Sequence, residues 1–236
     1  RALNANQLKT LTSNQLSNLA VDDLQSLSST QLTNLSGPQL NALSTAQLSV
    51  LLTSQLASLT PSQISTLNTV NLKSLTTSQF QALTSQQIAG LTTRQVSNLE
   101  TEDLLSLSST QLRAMTVLGI GALRTEQIAA LTTQLLTYLS NTQIPGLSST
   151  NLNLLSTTQL KSLTTSQIAN LSTRQIANMS TSALSALTSS QVLSLTAMQI
   201  RALGAKVSVV GSATPVVLDL NGDGIKTLSI EEGVQF

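Results

Sequence analysis

From Leu3 to Leu203 a large aliphatic residue returns at every eighth position, and the phase does not slip once over those 26 positions. Leucine holds 24 of them, and Met115 and Met179 hold the other two. Three residues before each inner leucine lies a second apolar position, from Leu8 to Ile200, with 14 Leu, 8 Ile, Val96, Val192 and Phe80. The residue just before that is Gln at 18 of 25 positions, and the residue after the inner leucine is Ser or Thr at 19 of 25. The unit is [S/T]-x-x-Q-[L/I]-x-x-L. A unit this short has too little apolar surface to fold alone, so the chain must stack many copies into one continuous core.

The spacing inside the octad predicts its backbone. Ser or Thr followed three residues later by Gln is a capping box, as in Thr12 with Gln15 and Thr164 with Gln167. The hydroxyl accepts from the third helical amide while the glutamine reaches back to the cap. Two aliphatics three apart, such as Leu16 and Leu19, share one face of a helical turn. Pro61 directly after Thr60 occupies the first helical position, where a missing N–H is harmless. One continuous helix would turn its apolar stripe by about 80° per octad and waste a cap every eight residues. A β-solenoid would need alternation of period two, whereas these aliphatics are spaced three then five. The expected fold is therefore an all-α repeat, a solenoid of short helices with a chain corner at each Ser/Thr cap. Small residues before the inner leucine (Ala42, Ser74, Ala82, Gly90, Ala130, Ala186) suit close packing between turns. Charged residues fall at outward slots, Lys9, Lys73, Arg113, Lys161 and Arg201 in one row and Asp22, Arg94, Glu102, Glu126 and Arg174 in another.

Composition narrows the chemistry. The 236 residues contain no His and no Cys, 9% charged residues and a net charge of +1. No imidazole base, thiolate nucleophile or ordinary zinc site can be assembled. Scattered basic residues leave no electrostatic footprint for nucleic acid, and no apolar run is long enough to insert into a membrane. Hydroxyls and amides without an activating acid or base point away from an enzyme.

A few octads depart from the pattern. The one at residues 116–123 loses its Gln and carries Gly119 and Gly121, and Pro145 sits where a helix interior is expected. Leu52, Leu135 and Leu154 put apolar side chains at usually polar positions. Drift in a tolerant array accounts for these departures, and a bend or a lateral contact patch is the sharper reading.

Past Leu203 the phase ends, which divides the chain into an octad solenoid, 1–203, and a tail, 204–236. The tail is expected to be small and β-rich, with segments at Lys206–Val210 and Pro215–Leu220. Within it, Asp219-Leu220-Asn221-Gly222-Asp223-Gly224-Ile225 has the alternating oxygen side chains and glycine of a calcium loop. Asp219, Asn221 and Asp223 are the expected side-chain ligands. Ile225 would add its carbonyl, Thr227 would act through water, and Glu231 or its neighbour Glu232 would close the set. A Gly/Asp/Asn-rich turn without metal is the alternative.

The stretch from Thr214 to Thr227 resembles a segment of large bacterial RTX-type, calcium-binding proteins exported by type I secretion. The octads are similar to Thr-x-x-Gln-Ile-x-x-Leu arrays in such proteins, often labelled adhesins or haem-utilisation proteins. The resemblance implies a bacterial, extracellular or surface-held protein and a piece of a longer polypeptide. The glycine-rich nonapeptide repeats that define the family proper are absent, so calcium-driven folding does not carry over to the octads.

The functional expectation is a non-enzymatic stalk or spacer of a surface adhesin with Ca2+ bound in the tail loop only. A self-assembling fibre of a biofilm matrix is the first alternative, and an ice- or glycan-binding repeat surface the second. Expected partners are other copies of the chain, flanking domains, or cell-surface and matrix ligands. The first octads look like all the others, so Leu3, Leu8 and Leu11 are expected to leave a sticky aliphatic edge.

Overall fold

A computed structural model describes residues 4–211 and the backbone at 216–217 and 226–227. Two compact units, Arg1–Ala130 and Leu131–Phe236, are treated separately.

Each octad is one helix of five or six residues, with few exceptions: Ser13–Ser17, Ser29–Thr33, Gly37–Ala42 and so on through Thr125–Ala130 in the first unit. The capping box predicted from the sequence explains both ends. At Thr12 the backbone is extended (φ −73°, ψ 159°), its hydroxyl accepts from the Gln15 N–H, and Gln15 Oε1 accepts from the Thr12 N–H at 2.9 Å. One α-turn follows, closed by Leu16 N–H to Thr12 C=O at 3.0 Å. A tighter turn then runs from Leu19 N–H to Leu16 C=O at 3.1 Å. The next cap residue, Ala20, is extended again (φ −64°, ψ 149°), so the chain turns a corner instead of continuing the helix.

Both aliphatics of each octad point inward. In the first unit Leu8, Leu16, Leu24, Leu32, Leu40 and Leu48 are fully buried, as is Phe80, and the inner leucines from Leu27 onward are nearly so. Helices three octads apart pack together, as Ser13–Ser17 does on Gly37–Ala42 and Ser85–Ala89 on Ser109–Ala114. The second unit repeats the scheme, with Thr173–Asn178 against Ala197–Leu203. Both charged rows named from the sequence are exposed.

Gly37 shows how close the turns come. A Cβ there would lie 2.7 Å from Thr66 Oγ1 and 2.9 Å from Thr66 Cβ, one turn away. Helix propensity alone would favour alanine by up to about 1 kcal/mol, but overpacking costs about 1–3 kcal/mol. Gly37→Ala is therefore expected to lower the melting temperature of the full chain, and Gly37→Ala with Thr66→Gly, which removes both clashing atoms, to recover part of it. A stabilised single variant would show that the turns yield freely.

Four expectations change. Lys206–Val210 is helical, not β: a short 3-10 turn, Gly204–Lys206, leads into the helix Val207–Gly211, which packs on Thr181–Ser185. Lys206-Val207-x-x-Val210 repeats the Gln-Leu-x-x-Leu spacing after a seven-residue step, and Val210 is fully buried. The only strands described are Val216–Val217 and Lys226–Thr227, two residues each, so a β-rich tail does not appear among the described residues. Leu135 is buried in the glutamine slot of its octad and adds nothing to an apolar surface, whereas Leu52 and Leu154 are exposed. The aliphatic N-terminal edge loses one of its three expected members: Leu8 is fully buried, while Leu11 is half-buried and Leu3 lies outside the described residues. Pro145 acts as expected, replacing the α-helix by the 3-10 turn Ile144–Gly146 while Ile144 stays buried.

Candidate functional site

The glutamine of the octad has a second task. Its Oε1 serves the cap, which leaves the amide Nε2 free to donate, and in the interior this donor reaches across to the preceding turn. Gln39 Nε2 donates to the carbonyls of Leu8 and Leu11, both at 3.0 Å. Gln87 donates to Leu56 and Leu59 at 2.8 and 2.6 Å, and Gln95 to Ile64 and Leu67 at 2.8 and 2.9 Å. In the second unit Gln175 reaches Ile144 and Leu147 at 3.0 and 2.6 Å. The acceptors in these bonds are the residues 31 and 28 positions back, some glutamines touch the carbonyl 30 back as well, and the pattern recurs at Gln199. Both main acceptors lie at a helix C-terminus: the carbonyl 31 back also accepts the N–H that closes the tighter turn, as Leu8 does from Leu11 at 3.2 Å, and the one 28 back is a corner acceptor that the helix leaves without a backbone partner. One side chain thus closes its own helix start and the end of a helix four octads earlier.

Position in the stack decides exposure. Every glutamine in this slot from Gln39 onward is buried, while Gln7 and Gln15 are exposed because no octad lies four before them. At the far end Lys206 does the same work with a charge. Its ammonium donates to the carbonyls of Ala177 and Met179 at 2.8 and 2.9 Å. The carbonyl pairs accept either an amide or a cation.

Substitutions in the slot grade the clasp. Asn71, one methylene shorter, still reaches the Asn41 carbonyl at 3.2 Å and the Leu43 carbonyl at 3.5 Å. Gly119 and Ala183 have no donor to offer. Asp103, 5% exposed, accepts from Thr77 Oγ1 at 3.1 Å. Burial pushes its carboxyl above the ordinary carboxylate range; the Thr77 hydroxyl opposes this, and the charges of Glu100 and Glu102 add to it.

Outside the core each unit has a surface groove with an arginine in its wall. In the first, about 260 Å³ lies among Asn68, Thr69, Thr92 and Arg94. In the second, about 590 Å³ lies among Ser148, Ser149, Ser172 and Arg174. Every residue lining the smaller groove has its counterpart 80 positions on in the larger one, where Pro145 stands for Ser65 and Gly146 adds to the lining.

Of the expected calcium ligands, Asp219, Asn221, Asp223, Ile225 and Glu231 lie outside the described residues, as does Glu232. Thr227 lies in the strand Lys226–Thr227, whose backbone pairs antiparallel with Val216–Val217 in the register Val216 to Thr227 and Val217 to Lys226. In sequence, residues 218–225 carry a donor set of hard oxygens that suits Ca2+. Among the described residues no group of three or more Asp or Glu is placed to hold a metal, and no helix is long and apolar enough to cross a membrane.

The sequence reading missed the inter-turn clasp, though a signal for it was present. A capping box accepts Glu as readily as Gln, yet the slot contains 18 Gln and no Glu. An amide can accept from the cap and donate to the carbonyls at once, whereas an ionised carboxylate can only accept.

No curated protein matches the chain. Over residues 62–93, 96–133 and 152–181 it is similar to the ALTTAQ repeat, a family whose six letters, set on Ala82–Gln87, put leucine at the inner position, threonine at the cap and glutamine at the clasp.

Proposed function

We propose that the octad array is a non-enzymatic spacer of an extracellular bacterial surface protein, with calcium bound in the loop at residues 218–227. The observation that carries this reading is the clasp itself. From Gln39 to Gln199 the array spends its characteristic side chain on its own inter-turn bonds. The hydroxyls at the caps are likewise committed to helix starts, with no base beside them. A chain of this kind holds a distance. The resemblance of residues 214–227 to a segment of secreted calcium-binding proteins supports the location and the metal, with Asp219, Asn221 and Asp223 as ligands and Ile225, Thr227 and Glu231 completing the shell.

Hydrogen exchange on the full chain, with and without calcium, tests both halves. Calcium is expected to add protection at residues 218–227 in wild type and not in Asp223→Ala, while protection across residues 39–199 stays the same. Calcium-dependent protection across the octads, or none at the loop, overturns the assignment. The grooves at Arg94 and Arg174 favour one rival, a glycan-binding repeat surface. Protection confined to those grooves on addition of an acidic polysaccharide would establish it in place of the spacer.

A further inference from the structure

We propose that Asp103 is a proton-operated clasp within the first unit: with a proton on its carboxyl it closes the joint to the preceding turn, and without one it leaves that joint open. The slot it occupies is elsewhere filled by a donor. At that position Gln79, Gln87, Gln95, Gln111 and Gln127 all donate to two carbonyls of the earlier turn. An ionised carboxylate has no hydrogen to give.

Reach is settled by Asn71. Its side chain has the length of an aspartate and donates to the carbonyls 30 and 28 residues back. At Asp103 the corresponding carbonyls belong to Lys73 and Leu75. Leu75 is 4% exposed, and among the described residues no donor is directed at its carbonyl. A protonated Asp103 is shaped like asparagine and can do what Asn71 does. The proton comes from solvent, goes onto one carboxyl oxygen, and is shared with the carbonyl without leaving the aspartate.

The surroundings favour the proton. Glu100 and Glu102 stand on the same turn, and both disfavour a further negative charge. Lys73, the basic residue on the turn below, is held by Glu100 at 2.8 Å. On the helix Thr125–Ala130, packed from the other side, Glu126 is paired with Arg124 at 3.1 Å. The helix Thr77–Ala82, packed from below, has no charged side chain and offers the Thr77 hydroxyl. Burial, the largest influence, acts in the same direction. The folded-state pKa is thus raised above the unfolded value. The contribution of this joint to stability is full below the ordinary carboxylate pKa of 3.8 and is lost as pH rises through the raised value.

Asp103→Asn fixes the closed state at every pH. At about pH 7 the full-length variant is expected to melt above wild type by about 2–4 °C, and the gap should close as the pH is lowered towards 4. A titration of the Asp103 carboxyl carbon by NMR should give a midpoint above that of an ordinary aspartate. An equal gap at both pH values, or an asparagine variant that melts lower at neutral pH, overturns the proposal. It is overturned equally if calcium raises the melting of wild type more than that of Asp103→Asn, since the positive pole at the carbonyls would then be a metal ion.

Discussion

Leu91→Asp is expected to abolish cooperative thermal unfolding of residues 1–130, and Leu163→Asp to do the same for residues 131–236. Leu91 is 6% exposed and Leu163 is 3% exposed, each at the corner where its helix ends against neighbouring turns. No Lys or Arg is buried with them among the described residues, so the new carboxylate would have no partner. An unpaired buried charge costs several kcal/mol, a large part of the 5–15 kcal/mol that holds an ordinary domain together. The array also cannot isolate the damage, because each octad is packed by others three away in both directions. Far-UV circular dichroism against temperature reads the outcome. A sharp transition at the wild-type temperature would mean that the inner leucine row is not the core.

The second large effect is expected at the glutamine slot, and here the array contains its own control. Gln87 is 1% exposed and makes three bonds: Oε1 accepts from the Thr84 N–H, and Nε2 donates to the Leu56 and Leu59 carbonyls. Gln87→Ala removes the cap acceptor at exposed Thr84 and leaves the buried Leu59 carbonyl unsatisfied, at about 1–3 kcal/mol, while the Leu56 carbonyl keeps the Leu59 N–H at 3.1 Å. With the lost cap and a small void, a loss of about 2–4 kcal/mol follows. Gln15 makes the same cap but is exposed and reaches no earlier turn. Gln15→Ala is expected to cost about 1 kcal/mol, as other lost caps do. Gln87→Glu separates the two tasks, because it retains the cap acceptor and removes the donor; it is expected to be at least as damaging as alanine. Urea denaturation of the three variants decides the matter. Equal losses at Gln15 and Gln87 would show that the clasp between turns contributes nothing.

Much of the molecule was legible from residue order because each octad is governed by local rules. Thr12 with Gln15 announces a helix start, and Leu16 with Leu19 announces one buried face, whatever lies elsewhere. The same locality explains the misreadings. Lys206–Val210 looked β-prone because valine favours strands in general, but its spacing let it dock on Thr181–Ser185 as one more helix. Leu135 looked like stray surface because its octad was compared only with the polar residue it replaces. Burial of that slot is a property of the neighbouring turn, which no single octad reveals. Leu8 drops out of the expected aliphatic edge for a related reason: the helix three octads on already covers it. The residues expected to bind calcium, from Asp219 to Glu231, fall, apart from the backbone of Thr227, beyond the described residues, and they remain part of the proposal.

Sequence by itself determined the helix starts, the corners and the two inward rows, since capping and three-residue spacing act within eight residues. Tertiary structure alone decided how many octads make a turn of the winding, and therefore which carbonyls each glutamine meets. That number follows from the angle at which short helices pack against one another, a sum over contacts between distant octads. Once the winding brought residues 31 and 28 positions apart together, a side chain that serves as a cap in isolation became the bond between turns. The same winding placed an aspartate at residue 103 where an amide was needed.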